Sequence, residues 1–513
     1  MRIRIVGAGV MGRGIAQWAA TAGHDVELCD ARPESVDEAL TFVQDMLRRA
    51  VNKQRMTGEQ AAAAHRRITT VDAPTADGEK VDLVIEAVRE DLETKTELFR
   101  RLEHALPADT VFATNTSSLP VTRIAAGLSE PSRLVGLHFF NPVPLMRIVE
   151  VIPGALTRDD IPPRLVDLVR ATGHDAVIVA DTPGFLINHA GRGLVTEALA
   201  LLEESVSDPA GIDRIARDVL GLRMGPFELM DLTGLDVTST VIDSIWHGFQ
   251  YSDRLRPSYL TPNRVIAGLH GRKSGRGFYA YPDGRAVIPA EPPVTGDARR
   301  PVLVTGKGAD ADLLLRTLTE DGANLHTGPG RVPPNAVVLV PTWGTTVADA
   351  VEREELPARR TLGVDPLSLA TDRRVLAVTP ASEAQAVRDA RAVLALRGPR
   401  TNADPRSVSV VRDTAGSVAQ RLLASLTSVA TSIAERGIAT PQAIDMAVVA
   451  GLGYPTGPLQ WGDRIGPQRL LTLQKRLHVA TGDARYRPTR WLTERAQLQL
   501  PLAQPAAVPE DLI

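Results

Sequence analysis

The chain has 513 residues, 43% of them hydrophobic and 23% charged, which suits a globular protein with several cores at about 100–200 residues per domain. Its formal net charge of -3 and pI near 6.4 supply no global attraction to nucleic acid or to anionic membranes, so neither is expected as a partner. The lone cysteine, Cys29, excludes an intrachain disulfide and a zinc cluster of thiolates, and no metal is expected. MRIRIVGAG enters a strand pattern at once, without a signal-peptide core, and no charge-free run of about 20 apolar residues occurs. A cytoplasmic location is the expectation.

In chain order, RIRIVG, DVELCD, VDLVIEAV, TVFATN, RLVGLHFF and RIVEVI are β-rich runs separated by helix-length stretches. That alternation predicts an α/β fold with a parallel, doubly wound sheet of Rossmann type. HDAVIVA, residues 174–180, reads as one more strand ahead of DTPGF. After Pro183 the period turns helical, through ALALLEESV and IDRIARDVLG, to about Gly271. Residues 282–300 are rich in Pro, Gly, Asp and Ala and read as an exposed linker. PVLVTG, AVVLVP, RRTLGV and RRVLAV then alternate with helix-like stretches, as a smaller, degenerate α/β layer. Its opening loop, TGKGAD, lacks the spaced glycines and following helix of the first domain, and no dinucleotide site is assigned there. From Asp413 to Ala496 the pattern is helical again. The predicted domains are 1–182 (Rossmann type), 183–282 (helical), 298–405 (degenerate α/β) and 406–500 (helical).

The last domain repeats the second. Asp181, Ile212, Leu220, Gly225, Asp231 and Gly234 recur as Asp413, Ile444, Leu452, Gly457, Asp463 and Gly466, each 232 residues on and without a gap. The copies differ where chemistry would sit: Asn188 becomes Gln420, and Glu228 becomes Gln460.

IRIVGAGVMGRGIA sets Gly7, Gly9 and Gly12 in a GxGxxG pattern between a strand and a helix, with Val10 and Met11 opening the helix. The glycines serve a tight turn, close approach of a pyrophosphate and close helix–strand packing, and the helix N-terminus offers free N–H groups. Asp30, at the end of DVELCD, stands where an acid accepts the ribose hydroxyls, which favours NAD over NADP. Arg32 is the residue that would reach a 2′-phosphate instead, and an Asp in this position also serves simply to cap a turn.

Three strand ends then deliver polar groups to the edge where ligands gather in such sheets: Asn115 to Ser118, His138 and Glu150. Histidine is the natural general base near neutral pH. Glu150 shares a strand face with Ile148 and Ile152, so a carboxylate interrupts an apolar row and needs a partner, which His138 can be. Taken singly, each has a plainer reading: a helix cap for Ser117 or Ser118, a core histidine for His138, a solvent-facing acid for Glu150.

The strings GAGVMGRGIA, EAVRED, FATNTSSLP, GLHFFNPVPLMRIVEVI, DTPGFLINHA, GPFELMDLTGLD and GRKSGRGFYAY, in this order over residues 1 to about 282, resemble the 3-hydroxyacyl-CoA dehydrogenase family. The resemblance implies NAD-dependent oxidation of (3S)-3-hydroxyacyl-CoA to 3-oxoacyl-CoA. It implies an active site of Ser117, His138, Glu150 and Asn188, with Ser117 and Asn188 on the substrate oxygens. It implies nicotinamide-side contacts at Glu90, Lys95, Asn141 and Lys273, and Lys53 as a candidate acyl-CoA contact. His189 departs from the basic residue that usually follows the motif asparagine, so no contact made from that position is carried over. The middle α/β segment and second helical copy resemble longer bacterial members, including those linked to phenylacetate catabolism. Because relatives with one helical domain pair through it, the two copies here are expected to pair within the chain, and a homodimer of whole chains stays compatible. The rival readings are a non-catalytic NAD-binding protein and a β-hydroxyacid dehydrogenase of the phosphogluconate type, whose catalytic lysine DTPGFLINHAGRGL lacks.

Overall fold

The computed structural model describes residues 1–76, 80–326, 332–398 and 404–507. The first sheet has eight strands: β1 (Arg2–Val6), β2 (Asp25–Cys29), β3 (Ile68–Thr70), β4 (Leu83–Glu86), β5 (Val111–Thr114), β6 (Leu134–Phe139), β7 (Ile148–Pro153) and β8 (Asp175–Ile178). Their order is β3-β2-β1-β4-β5-β6-β7-β8. The crossovers run through α1 (Val10–Thr21), α2 (Pro33–Asn52), α3 (Gly58–Arg66), α4 (Leu92–Ala105), α5 (Val121–Ala125) and α6 (Ile161–Ala171). Every residue of β4, β5 and β6 is buried, as expected of strands covered on both faces. Ile3, Ile5, Leu28, Ile85 and Leu137 join Ile15 of α1 in one core.

One strand departs from the parallel expectation. β7 runs antiparallel to β6, because the connection, residues 140–147, is shorter than the dozen or so residues that a parallel crossover requires. That reversal sets Glu150 directly across from His138.

Five helices follow: α7 (Ile187–Glu203), α8 (Pro209–Asp218), α9 (Pro226–Thr233), α10 (Leu235–Gly248) and α11 (Leu260–Ile266). The second sheet has order β13-β12-β11-β10-β9, from β9 (Val302–Val304), β10 (Val337–Pro341), β11 (Thr361–Val364), β12 (Arg373–Val378) and β13 (Ser407–Arg412), with α12 (Ala309–Glu320), α13 (Val347–Glu354) and α14 (Ala384–Leu394) between them. A helix does follow the TGKGAD loop, contrary to expectation. The boundary placed at 406 also cuts off β13, an edge strand whose alternation runs only through SVSV before Val411 breaks it. The chain closes with α15 (Ser417–Glu435), α16 (Pro441–Leu452), α17 (Pro458–Ile465), α18 (Pro467–Thr481) and α19 (Arg490–Leu498).

The second sheet repeats the β4–β8 half of the first. Strand order matches, and the single antiparallel junction falls at the same place, β6/β7 and β11/β12. A side chain at Gly136 would meet Val121 of α5 at 2.8 Å, and one at Gly363 would meet Val347 of α13 at 2.7 Å. Asp181 accepts the N–H groups of Val121 and Thr122, as Asp413 accepts those of Val347 and Ala348. The helical repeat shows in the backbone too: Gly234 and Gly466 both have φ of 95°, and Phe185 and Ser417 both have φ of 49°. Among the described residues, the second half has no counterpart of β1, β2 and β3.

The chain divides into two compact units, residues 1–189 with 436–452, and 190–435 with 453–513. In the first, α16 packs on β7 and β8, and the Ala180 N–H donates to Ile438 O at 2.8 Å. In the second, α8 packs on β12, and the Arg412 N–H donates to Val206 O at 2.9 Å. Each sheet therefore takes a segment from the opposite helical copy. Within the second unit α7 and α15 approach closely, since a side chain at Gly193 would lie 3.0 Å from Ser425 O. Glu197 of α7 is fully buried there and accepts from Arg421 Nε and Tyr486 Oη, each at 2.6 Å.

Candidate active site

The β1–α1 turn has the form a dinucleotide requires. Gly7 has φ of 107°, and a side chain at Gly12 would stand 1.7 Å from Gly7 O, so neither position admits one. A side chain at Gly9 would meet nothing within 4 Å, which leaves bare backbone facing open space. The first-turn N–H groups of Val10, Met11 and Gly12 lack acceptors within the helix. Asp30, just past β2, accepts the Ala8 N–H at 2.8 Å and the Arg32 N–H at 2.9 Å. It ties down the loop that it flanks. These bare amides and this carboxylate fit a dinucleotide pyrophosphate and ribose.

Across β6 and β7, His138 Nδ1 and Glu150 Oε2 are 2.6 Å apart, and Glu150 is fully buried. The other Glu150 oxygen accepts the N–H groups of Leu186 and Ile187 at 3.0 and 2.8 Å. Left-handed backbone at Gly184 and Phe185, with φ of 73° and 49°, turns the chain just before those amides. The conformation costs Phe185 some strain, and its ring in return packs 5.7 Å from the imidazole. Phe140 covers another side at 4.4 Å. With Nδ1 held, Nε2 is the nitrogen left for a substrate.

Asn115, past β5, accepts the Phe139 N–H at 2.8 Å and so joins the strand ends that carry the loop and the histidine. Ser117 and Ser118 are exposed. Glu90 gathers their turn, accepting from Thr116 Oγ1 at 2.7 Å, the Ser117 and Ser118 N–H groups at 2.9 Å and Ser118 Oγ at 2.8 Å. Burial pushes the Glu90 carboxyl up, but the Lys95 ammonium and these hydrogen bonds outweigh it and hold it at about 2. Asn188 is the second residue of α7, half-buried, and Asn141 is exposed just beyond β6. Lys53 is exposed at the C-terminal end of α2. Lys273, in the second unit, is paired with Asp236 at 2.6 Å, a partner that the sequence reading missed. That reading also missed Glu86, which ends β4 and bonds Lys95 at 2.6 Å. The signal was an acid closing the apolar run of VDLVIEAV.

The model of the 3-hydroxyacyl-CoA dehydrogenase NAD binding domain matches residues 2–182, and that of the same family's C-terminal domain matches twice, over 184–281 and 416–502. The chain belongs to the 3-hydroxyacyl-CoA dehydrogenase family. It is 34% identical to the 3-hydroxyadipyl-CoA dehydrogenase of Escherichia coli, covering 97% of this chain and 98% of that one. A probable 3-hydroxybutyryl-CoA dehydrogenase of Bacillus subtilis is 39% identical over 55% of this chain and 97% of its own. The crystal structure of an Escherichia coli 3-hydroxybutyryl-CoA dehydrogenase superposes with a TM-score of 0.84 at 33% identity, covering 97% of this chain and 98% of that one. The protein is accordingly an NAD-dependent oxidoreductase of hydroxyacyl-CoA.

In the second half the corresponding positions have been rebuilt. Gly136 pairs with Ile152 and His138 with Glu150, while Gly363 pairs with Ala377, so Asp365 stands for His138 and Val375 for Glu150. Gln420, the counterpart of Asn188, donates to Asp365 Oδ1 at 2.8 Å and to Thr342 O at 2.6 Å, and accepts the Gly344 N–H at 2.9 Å. No histidine remains to move a proton there. Burial pushes the Asp365 carboxyl up to about 6 against the opposing bonds from Gln420 and Leu367, and its Oδ2 lies by the Ser417 hydroxyl without a hydrogen-bond partner. Since the carboxyl titrates higher folded than its ordinary 3.8, its contribution to stability is complete below about pH 3.8 and is lost as pH rises toward about 6. Asp365→Asn keeps the acceptor for Gln420 and places a donor toward Ser417. It is expected to stabilise the second unit by on the order of 2 kcal/mol near neutral pH, and to leave kcat unchanged. Thermal unfolding at about pH 8 and about pH 4 checks this: the gain appears only at the higher pH.

Proposed function

We propose that His138 is the general base that takes the proton of the substrate 3-hydroxyl, and that Glu150 fixes its tautomer and stabilises the imidazolium. The 2.6 Å contact between them, in a buried setting with Nε2 left for the substrate, carries this reading. NAD held by the Gly7–Gly12 loop and Asp30 would supply the hydride acceptor for the same carbon. Ser117 and Asn188 hold the reacting oxygen or the thioester carbonyl, and the aromatic rings of Phe140 and Phe185 keep water from the imidazole. The Gly7–Gly12 loop, with Val10 and Met11, holds the pyrophosphate, and Asp30 the ribose. Glu90, Lys95, Asn141 and Lys273 serve the nicotinamide side, and Lys53 the acyl-CoA.

The four-part domain plan supports a division of labour in which residues 1–182 and 183–282 form the catalytic half. The second helical copy serves, within the one chain, as a scaffold for that half. The substrate is proposed to be 3-hydroxyadipyl-CoA, supported by the end-to-end match to a relative of that name. A panel of 3-hydroxyacyl-CoA esters differing in length and terminal charge tests it. The expected result is a higher kcat/KM for 3-hydroxyadipyl-CoA than for 3-hydroxybutyryl-CoA. The reverse order would assign the enzyme to short, uncharged tails.

A further inference from the structure

Lys95 lies in the second turn of α4 with its side chain 1% exposed, and two carboxylates meet its ammonium. Glu86 Oε1 is 2.6 Å from Nζ, and Glu90 Oε2 is 3.2 Å away. The two acids are differently placed. Glu86 is fully buried at the end of β4, whereas the Glu90 side chain is 35% exposed, at the edge where the Ser117 turn lies. Glu86 is itself fixed from three sides: Oε1 accepts the Val88 N–H at 2.7 Å as well as the ammonium, and Oε2 accepts Thr114 Oγ1 at 2.7 Å. Thr114 in turn ends β5, and its hydroxyl accepts the Thr116 N–H at 3.4 Å.

A buried ion pair of this kind adds little net stability, because desolvation offsets most of its attraction, but it fixes geometry. A lysine side chain held only by the half-exposed Glu90 would keep several rotamers. The second, rigid anchor at Glu86 removes that freedom. Contacts then run unbroken from Glu86 through Lys95 to Glu90, and from Glu90 to the backbone and hydroxyls of residues 116–118.

We propose that Glu86 is a positioning residue for the dehydrogenase reaction: it fixes the Lys95 ammonium, which orients Glu90, which sets the turn that presents Ser117. This rests on the proposed placement of Glu90 and Ser117 in the cofactor and substrate site. Glu86 touches neither reactant in this scheme and acts only through the chain of charges.

A double-mutant cycle on the full chain tests it, since residues acting through one another give non-additive losses. Glu86→Gln, which keeps shape and removes charge, should lower kcat/KM about tenfold in the wild-type background and less than about twofold in a Glu90→Gln background. NADH affinity, read by its fluorescence, should follow the same pattern. Thr114→Val, which frees the other Glu86 oxygen without adding bulk, should give a smaller loss of about threefold and covers the case in which Glu86→Gln folds poorly. Equal losses from Glu86→Gln in both backgrounds would mark Glu86 as merely structural and overturn the inference. So would a Glu86→Gln enzyme with unchanged kcat/KM, or a silent Glu90→Gln. His138→Gln judges the catalytic reading separately, because it lies outside this chain of contacts.

Discussion

His138→Gln is expected to lower kcat by about 10²–10⁴, the usual worth of a positioned general base. Glutamine can reach Glu150 and even a substrate hydroxyl, but it cannot take a proton between them. The pairing of His138 with Glu150 across the β6/β7 junction holds Nδ1 toward the carboxylate, which frees Nε2 as the proton acceptor. NADH binding should stay nearly intact, because the Gly7–Gly12 turn joins β1 to α1, Asp30 lies just past β2, and the hydrogen bonds of Asp30 go to Ala8 and Arg32, not to His138. Glu150→Gln should also lower kcat, by about tenfold or more, since an amide cannot stabilise the imidazolium and must still accept the Leu186 and Ile187 N–H groups. Steady-state kinetics beside an NADH titration measure both effects. Near-normal turnover in His138→Gln at every pH would remove the histidine from the mechanism.

Truncation before residue 406 is expected to abolish soluble, active protein. The second helical copy does more than cover the first. Its residues 436–452 are part of the first compact unit, where α16 packs on β7, the strand that carries Glu150, and on β8. Loss of α15 would also leave Glu197, fully buried in α7, without Arg421. The same loss uncovers the α7 face that packs against α15 at Gly193, and an exposed apolar face favours aggregation. A milder change separates folding from chemistry. Gln420→Ala removes one of the bonds to Asp365 Oδ1 and leaves Thr342 O and the Gly344 N–H without the amide, and should destabilise by about 1–3 kcal/mol, yet leave kcat of the folded enzyme within about twofold. Asn188→Ala should instead cost about tenfold or more in kcat. A soluble, fully active truncation, or a Gln420 variant as impaired as the Asn188 one, would remove the supporting role assigned to the second half.

Much of this was legible in the sequence because the local signals agree. Glycines spaced between a strand and a helix, an acid in an apolar strand row and a gapless repeat at 232 residues each have one dominant physical reading. The pairing of His138 with Glu150 could be guessed from the row of Ile148, Glu150 and Ile152. The amides of Leu186 and Ile187 could not, because a main-chain donor leaves no mark in a side-chain pattern. β3 and β13 escaped for a related reason. One has only three residues and the other is an edge strand with a mixed pattern, so neither gives a sustained period. The exchange of α8 and α16 between the two sheets is invisible to any local signal. It depends on contacts between residues more than two hundred positions apart, such as Ala180 with Ile438.

The most direct measurement is the reduction of acetoacetyl-CoA by NADH, followed by the loss of NADH absorbance with the full chain and with His138→Gln in parallel. The account predicts rapid, NADH-specific turnover by the wild-type chain, much slower with NADPH, and a loss of about 10²–10⁴ in the variant despite retained NADH binding. A wild-type chain that binds NADH but does not turn over, or a variant that turns over as fast as wild type, would contradict it.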